Sequence, residues 1–243
     1  LTNAALDRAE SIFSKTLKRE DSATVLAEAY KGQIPTKIPG VPFLDANGYV
    51  KGSLFSVMAD MRESSKHLMQ RSTSNGEKIF QLERLYYEVS ALIPTLCHWL
   101  NSPANSGAVS EILGDGVLAL YKTTENGDGR QLQKIYDLSK KCIDSLPIIN
   151  AILARRYNLI GIKIGIGISF SEAVVQTFGI PPFEEPKAFG ECIYRSSKLS
   201  KGINEIILCK SAKLLWPTSK DGTFSFSQKR IGDVDGFLAQ GSK

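Results

Sequence analysis

SLFSVMADMRESS (residues 53–65) and AVSEILGDGVLALYK (residues 108–122) decide how this chain is read. In the first, an apolar run from Leu54 to Ala59 stops on Asp60, the pattern of a buried strand whose last residue emerges at a sheet edge. In the second, two short apolar runs flank Gly114-Asp115-Gly116, which is a hairpin signal. If the two strands are neighbours, both carboxylates meet at one edge. Hard divalent cations such as Mn²⁺ or Mg²⁺ take oxygen ligands of this kind and fill their remaining positions with substrate phosphates. Two ions so held activate an attacking hydroxyl and stabilise a leaving pyrophosphate. Asp115 alone reads as an ordinary turn aspartate. Asp60, straight after Val57-Met58-Ala59, is costly to bury without a partner.

Outward from this pair, Met61-Arg62-Glu63-Ser64-Ser65 turns into a helix whose free N–H groups suit phosphate oxygens; Ser64 is equally suited to cap that helix. A long helix over residues 77–101 carries Ile79, Leu82, Leu85, Val89, Leu92, Leu96 and Leu100 on one stripe, with Pro94 as a kink. Gly127-Asp128-Gly129 lacks flanking strands and reads as a solvent loop. A helix is predicted over residues 130–156. IGIKIGIGISF then reads as a strand and EAVVQTF as its hairpin partner. The glycines there alternate with Ile162, Ile164, Ile166 and Ile168, so small residues allow close packing on a strand and the run is no phosphate loop. A helix over 188–200, a strand EIILC, a short helix SAKLLW and the strands FSFSQKRI and DGFLAQ complete the order. This alternation predicts an α+β fold, helices over one face of a mainly antiparallel sheet. Residues 1–50 read separately as a helical arm with a proline- and glycine-rich connection, and residues 51–243 as the main domain.

Composition narrows the function. The 243 residues are 42% hydrophobic and 23% charged, with a net charge of +5, as in a globular protein able to bury a proper core. No basic stripe with interleaved aromatics is present, which speaks against nucleic acid as partner. No apolar run reaches the length that spans a bilayer. Four cysteines, far apart, and only two histidines, His67 and His98, argue against thiolate or His-rich metal sites and point to a reducing cytoplasm.

Taken together, VMADMRESS resembles the first metal-binding strand of the class III adenylyl and guanylyl cyclases, and EILGDGVLALY resembles their second metal hairpin. IKIGIGISFSEAVVQTFG, AFGECIYRSSKL, KGINEIIL and RIGDVDGF resemble the later strands, helix and terminal loop of that family, in the same order over residues 53–240. The resemblance implies a ferredoxin-like βααββαβ core, active as a homodimer with sites shared between chains. It implies that Asp60 and Asp115 bind two Mn²⁺ or Mg²⁺ ions, with the Met61 carbonyl as a further ligand. It sets Glu111 and Lys187 at the two base-selecting positions. Tyr194 stands where the family has a ribose-orienting asparagine, and Lys198 where it has a transition-state arginine. Met58, Arg62, Ser64 and Ser65 fall along the substrate.

The departures bear on the substrate. Lysine is a point charge and cannot grip phosphate bidentately as arginine does. Glutamate accepts and lysine donates a hydrogen bond, a pair that serves the lactam edge of uracil or guanine and also suits cytosine or adenine. The bulk of Tyr194 and Phe189 favours a pyrimidine. The pattern resembles the pyrimidine cyclases of bacterial anti-phage signalling, which implies UTP before CTP as substrate and a cyclic-nucleotide-sensing effector downstream. A guanylyl or adenylyl cyclase, a silent nucleotide-binding or dimerisation module, and a polymerase-like palm are the alternatives. The helix from Gly190 to Leu199 disfavours the palm.

Overall fold

The computed structural model describes residues 33–45, 48–69, 75–159, 161–179, 184–218 and 224–241. Residues 1–32 of the expected helical arm lie outside them. Strand β1 (Gln33–Pro35) pairs with β2 (Phe43–Asp45) in a small hairpin. The main sheet comprises β3 (Tyr49–Met61), β4 (Gly107–Ile112), β5 (Gly116–Lys122), β6 (Ile164–Phe178), β7 (Glu185–Gly190), β8 (Glu205–Cys209), β9 (Phe224–Ile231) and β10 (Val234–Gly241). Its order is β4-β5-β3-β6-β8-β10-β9, with β7 pairing the far end of β6; among the described residues only the β6–β8 pair is parallel. The helices are α1 (Ser64–Met69), α2 (Asn75–Leu100), α3 (Gly129–Asp144), α4 (Leu146–Tyr157), α5 (Glu191–Leu199) and α6 (Lys210–Leu214). Among the described residues no helix is long and apolar enough to cross a membrane.

Period-two alternation divides the sheet into two faces. Phe55, Val57, Ala59 and Met61 of β3, Val117, Ala119 and Tyr121 of β5, and Ile164, Ile166 and Ile168 of β6 form one core with Leu92, Leu96 and Leu100 of α2 and Leu132 and Ile135 of α3. Each Phe, Met, Val, Ile or Leu among them contributes about 1.5–3 kcal/mol by leaving water. On the other face Leu54, Met58, Leu118 and Leu120 pack under Ile38, Val41 and Leu44 and against Ala173, Val175 and Ala188.

Helices occupy both faces of the sheet rather than one. A Cβ on Gly165 or Gly167 would come 2.0 Å from the Ser200 carbonyl oxygen or 2.1 Å from that of Ser196. Helix α5 therefore lies with its backbone on β6, on the side opposite Ile164, Ile166 and Ile168, and a buried Ser56–Ser196 hydroxyl contact of 2.7 Å fastens it there. The close packing expected of the alternating glycines is what admits this helix.

Four local expectations are corrected. Strand β6 runs unbroken for 15 residues, because nothing between Phe170 and Glu172 turns the chain; it ends at Phe178, and the hairpin partner is β7. Residues 188–190 are strand, held by pairing to Ala173–Val175, so α5 starts at Glu191. The helix predicted over 130–156 is two, α3 and α4, because Pro147 in the first turn of α4 has no N–H to carry the ladder through. The second Gly-Asp-Gly is a helix start, since Asp128 accepts the amides of Arg130 at 2.8 Å and Gln131 at 3.2 Å.

Candidate active site

Strands β3 and β5 are antiparallel neighbours, and Asp60 is the ladder partner of Gly116. The register brings Asp115, at the turn, beside the end of β3, where the Met61 amide donates to the Asp115 carbonyl at 3.2 Å. Gly114 takes a left-handed φ of +74° that makes the turn. Gly116 serves close approach: a Cβ there would lie 2.7 Å from the Ala59 carbonyl and 3.0 Å from Asp60 Oδ1. The two carboxylates singled out in the sequence are thus brought to one sheet edge.

Burial, foremost, lifts the Asp60 carboxyl above its ordinary range; Arg62 opposes this, Asp115 adds to it and Lys201 opposes it. Arg62 Nη2 lies 2.6 Å from Asp60 Oδ2 and 3.3 Å from the Met61 carbonyl oxygen. Its Nε is buried with no hydrogen-bond partner among the described residues. Two carboxylates and a backbone carbonyl form a hard-oxygen donor set, already met by a cationic side chain, and so fit a divalent ion such as Mn²⁺ or Mg²⁺. Among the described residues no group of three His, Cys, Asp or Glu gathers that could hold an ion by itself.

Beyond Arg62 the chain passes through Glu63 at φ +67° into α1, whose Ser64 and Ser65 line a cavity of about 480 Å³ with Leu85, Tyr86, Val89, Gly114 and Asp115. The serines and the hairpin aspartate therefore face one space. Met58 is buried in the second core, across the ladder from Gly167, where α5 packs.

The proposed base-selecting pair also meets. Lys187 Nζ lies 2.9 Å from Glu111 and 3.2 Å from Glu185, and the Glu111 hydrogen bond is the main reason the Lys187 pKa is raised. A β-bulge between Val109 and Glu111 sets Glu111 opposite Leu118 rather than one residue further along. Without it Glu111 would share the face of Val109, in the helix-covered core. Val175 and Ala188 share a buried cluster with Met58 and Leu118, so the β6–β7 arm lies over the face that carries Glu111.

Tyr194 and Lys198 sit one turn apart on α5. The Tyr194 hydroxyl donates to Asp233 Oδ2 at 2.8 Å, and Lys198 Nζ stands 5.3 Å from the Tyr194 ring centroid. The bond to Asp233 raises the tyrosine pKa and, with Lys198 and Lys201 adding, lowers that of Asp233. These contacts are with the β9–β10 turn and not with the Asp60–Asp115 pair. Asp233 and Glu185 were not singled out from sequence. The Gly232-Asp233 turn within RIGDVDGF was the one available signal for the first. For Glu185 there was none, since its role comes from the fold of the arm.

No protein-family model matches this sequence, and no curated protein is significantly similar to it. Solved structures are similar in fold. The guanylyl cyclase Cya2 is 13% identical, with 80% of this chain and 94% of that chain covered and a TM-score of 0.63. The adenylyl cyclase CyaB from P. aeruginosa is 13% identical over 80% of this chain and 97% of that chain, with a TM-score of 0.59. A class III adenylyl cyclase-like ATP-binding protein from Pseudomonas aeruginosa is 14% identical over 72% of this chain and 37% of that chain, at a TM-score of 0.59. The chain has the class III cyclase fold.

Proposed function

We propose that the protein is a nucleotidyl cyclase that converts a nucleoside triphosphate, UTP in preference to CTP, to a 3′,5′-cyclic nucleotide and pyrophosphate. The observation that carries this reading is the β3–β5 register, which sets Asp60, the Met61 carbonyl and Asp115 at one edge. Bound there, Mn²⁺ or Mg²⁺ would lower the pKa of the ribose 3′-hydroxyl and offset charge on the triphosphate. The 3′-oxygen then attacks the α-phosphorus, the bond to the bridging oxygen breaks, pyrophosphate leaves and the hydroxyl proton passes to solvent. Ser64, Ser65 and Arg62 hold the phosphates. Glu111 and Lys187 meet the base edge, exchanging their mutual bond for an N–H donated to Glu111 and an acceptor facing Lys187, so neither charge is left unpaired. Tyr194 and Lys198, whose contacts are with Asp233 and with each other, serve the site of a second copy. In this reading the product is a second messenger of anti-phage defence, read by a cyclic-nucleotide-sensing effector.

Incubation of the purified protein with equal ATP, GTP, CTP and UTP plus Mn²⁺, followed by mass spectrometry, tests this. Cyclic UMP should dominate, with cyclic CMP second. A pool of cyclic GMP or cyclic AMP would leave a purine cyclase. A second reading, a nucleotide-binding module without turnover, is favoured by Tyr194 and Lys198 replacing the expected asparagine and arginine, and gives no cyclic product at all.

A further inference from the structure

We propose that Arg62 is the resident counter-cation of the carboxylate site, holding the ion's ligands until metal and nucleotide arrive and then passing to the triphosphate. The inference rests on the metal-site reading above and adds a role that the site's donor set alone does not give. One nitrogen, Nη2, bridges Asp60 Oδ2 at 2.6 Å and the Met61 carbonyl oxygen at 3.3 Å. These are two of the three groups that an ion at this edge would use. A guanidinium and a divalent ion cannot share them, because like charges at contact distance repel strongly in a half-buried site.

The backbone around Arg62 is anchored while its side chain is incompletely satisfied. The Arg62 amide donates to the Lys163 carbonyl at 2.8 Å, so release of the guanidinium is a side-chain rotation and leaves the strand end in place. Nε is buried and unbonded among the described residues, a standing cost that a phosphate oxygen can relieve by accepting from it. The space lined by Ser64, Ser65 and Asp115 lies just beyond in the chain. An ion arriving alone must displace Arg62 and leave it without an acceptor. An ion arriving with a triphosphate supplies that acceptor. Arg62 thus couples metal and nucleotide binding and keeps Asp60 neutralised between turnovers.

The test is Mn²⁺ binding to the full-length protein without nucleotide, followed by the electron paramagnetic resonance of the free ion. Arg62→Gln should bind Mn²⁺ alone on the order of tenfold more tightly, about the worth of one charge-assisted hydrogen bond. Arg62→Lys, which keeps the charge and cannot bridge both oxygens so well, should fall between and carries the test if the glutamine variant does not fold. With Mn²⁺ saturating, the KM for UTP should rise in Arg62→Gln. Equal or weaker Mn²⁺ affinity in both variants overturns the proposal. Mn²⁺ binding by the wild type that survives Asp60→Asn instead overturns the metal-site reading, so the two failures are told apart.

Discussion

Asp60 faces Gly116 across the β3–β5 ladder, and the amide one residue beyond Asp60 is bonded to the carbonyl one residue before Gly116. This crossed relationship places two carboxylates from segments about fifty residues apart at one edge by backbone register alone. If both hold the ions, Asp60→Asn and Asp115→Asn should each lower turnover by at least about 10²–10³-fold with circular dichroism unchanged. Steady-state kinetics on the two variants checks it, and near-wild-type turnover in either removes that residue from the site.

Gly116 has no room for a side chain, since a Cβ would press on the Ala59 carbonyl at 2.7 Å, a backbone atom that cannot swing away. Gly116→Ala should therefore cost about 1–3 kcal/mol, as overpacking does, and weaken Mn²⁺ binding by pushing β3 and β5 apart at their ends. Thermal melting with and without Mn²⁺ reads both effects. Gly114→Ala disturbs the same turn by a different route, its φ of +74°, with open space around its Cβ position, and should leave the strand spacing intact.

Glu63 bears a left-handed φ of +67° at the bend between Arg62 and α1, a conformation costing a non-glycine residue about 1–2 kcal/mol. Glu63→Gly removes that strain and also the exposed ion pair with Lys66, which is worth little. Melting temperature should hold or rise. Glu63→Val, β-branched in the same conformation, should melt lower than wild type. A glycine variant that melts well below wild type would show that Glu63 is held there by contacts stronger than its strain.

The core strands, the Gly114-Asp115-Gly116 hairpin and much of the order of elements were legible because alternation and turn chemistry are local. Leu54–Ala59 and Val117–Tyr121 announce their faces within six residues. What escaped depends on relationships that no local window holds. The bulge that moves Glu111 across the sheet inserts one residue, Ser110, with no glycine or proline to mark it. The continuation of β6 through Ser171 looked like a hairpin because two apolar runs were separated by two polar residues, Ser171 and Glu172. The placing of α5 on the second face required knowing which helix the Gly165 and Gly167 gap admits. The meeting of Tyr194 with Asp233 joins residues 39 apart through packing of α5 against the last hairpin.

Sharing of sites between two copies is testable by mixing. Tyr194 and Lys198 contact Asp233 and each other rather than the carboxylates of their own chain. An inactive Asp60→Ala chain and an inactive Lys198→Ala chain, allowed to exchange, should form heterodimers in which one site is intact. With equal amounts and random pairing this restores about a quarter of wild-type activity in a two-fold dimer. A mixture that stays inactive after exchange is demonstrated by mass would place each complete site within one chain.

The charge state of Asp60 gives stability a pH dependence. Its carboxyl titrates above the ordinary carboxylate range, mainly through burial, with Asp115 adding and Arg62 and Lys201 opposing. A carboxyl whose folded pKa is raised binds a proton more readily folded than unfolded. It therefore supports the fold below its unfolded pKa, around pH 4, and that support is lost as pH rises through the folded value. At pH 7 without metal, ionised Asp60 is a net burden, and Asp60→Asn, which keeps an oxygen for Arg62 to donate to, should melt higher than wild type. The gap should narrow as pH falls toward the unfolded value, where both side chains are neutral. Added Mn²⁺ should reverse the order by stabilising wild type alone. Scanning calorimetry from pH 4 to 8, with chelator and then with Mn²⁺, checks each step. A metal-free gap that widens on acidification would mean that Arg62 and Lys201 outweigh burial and that Asp60 is a stabilising anion.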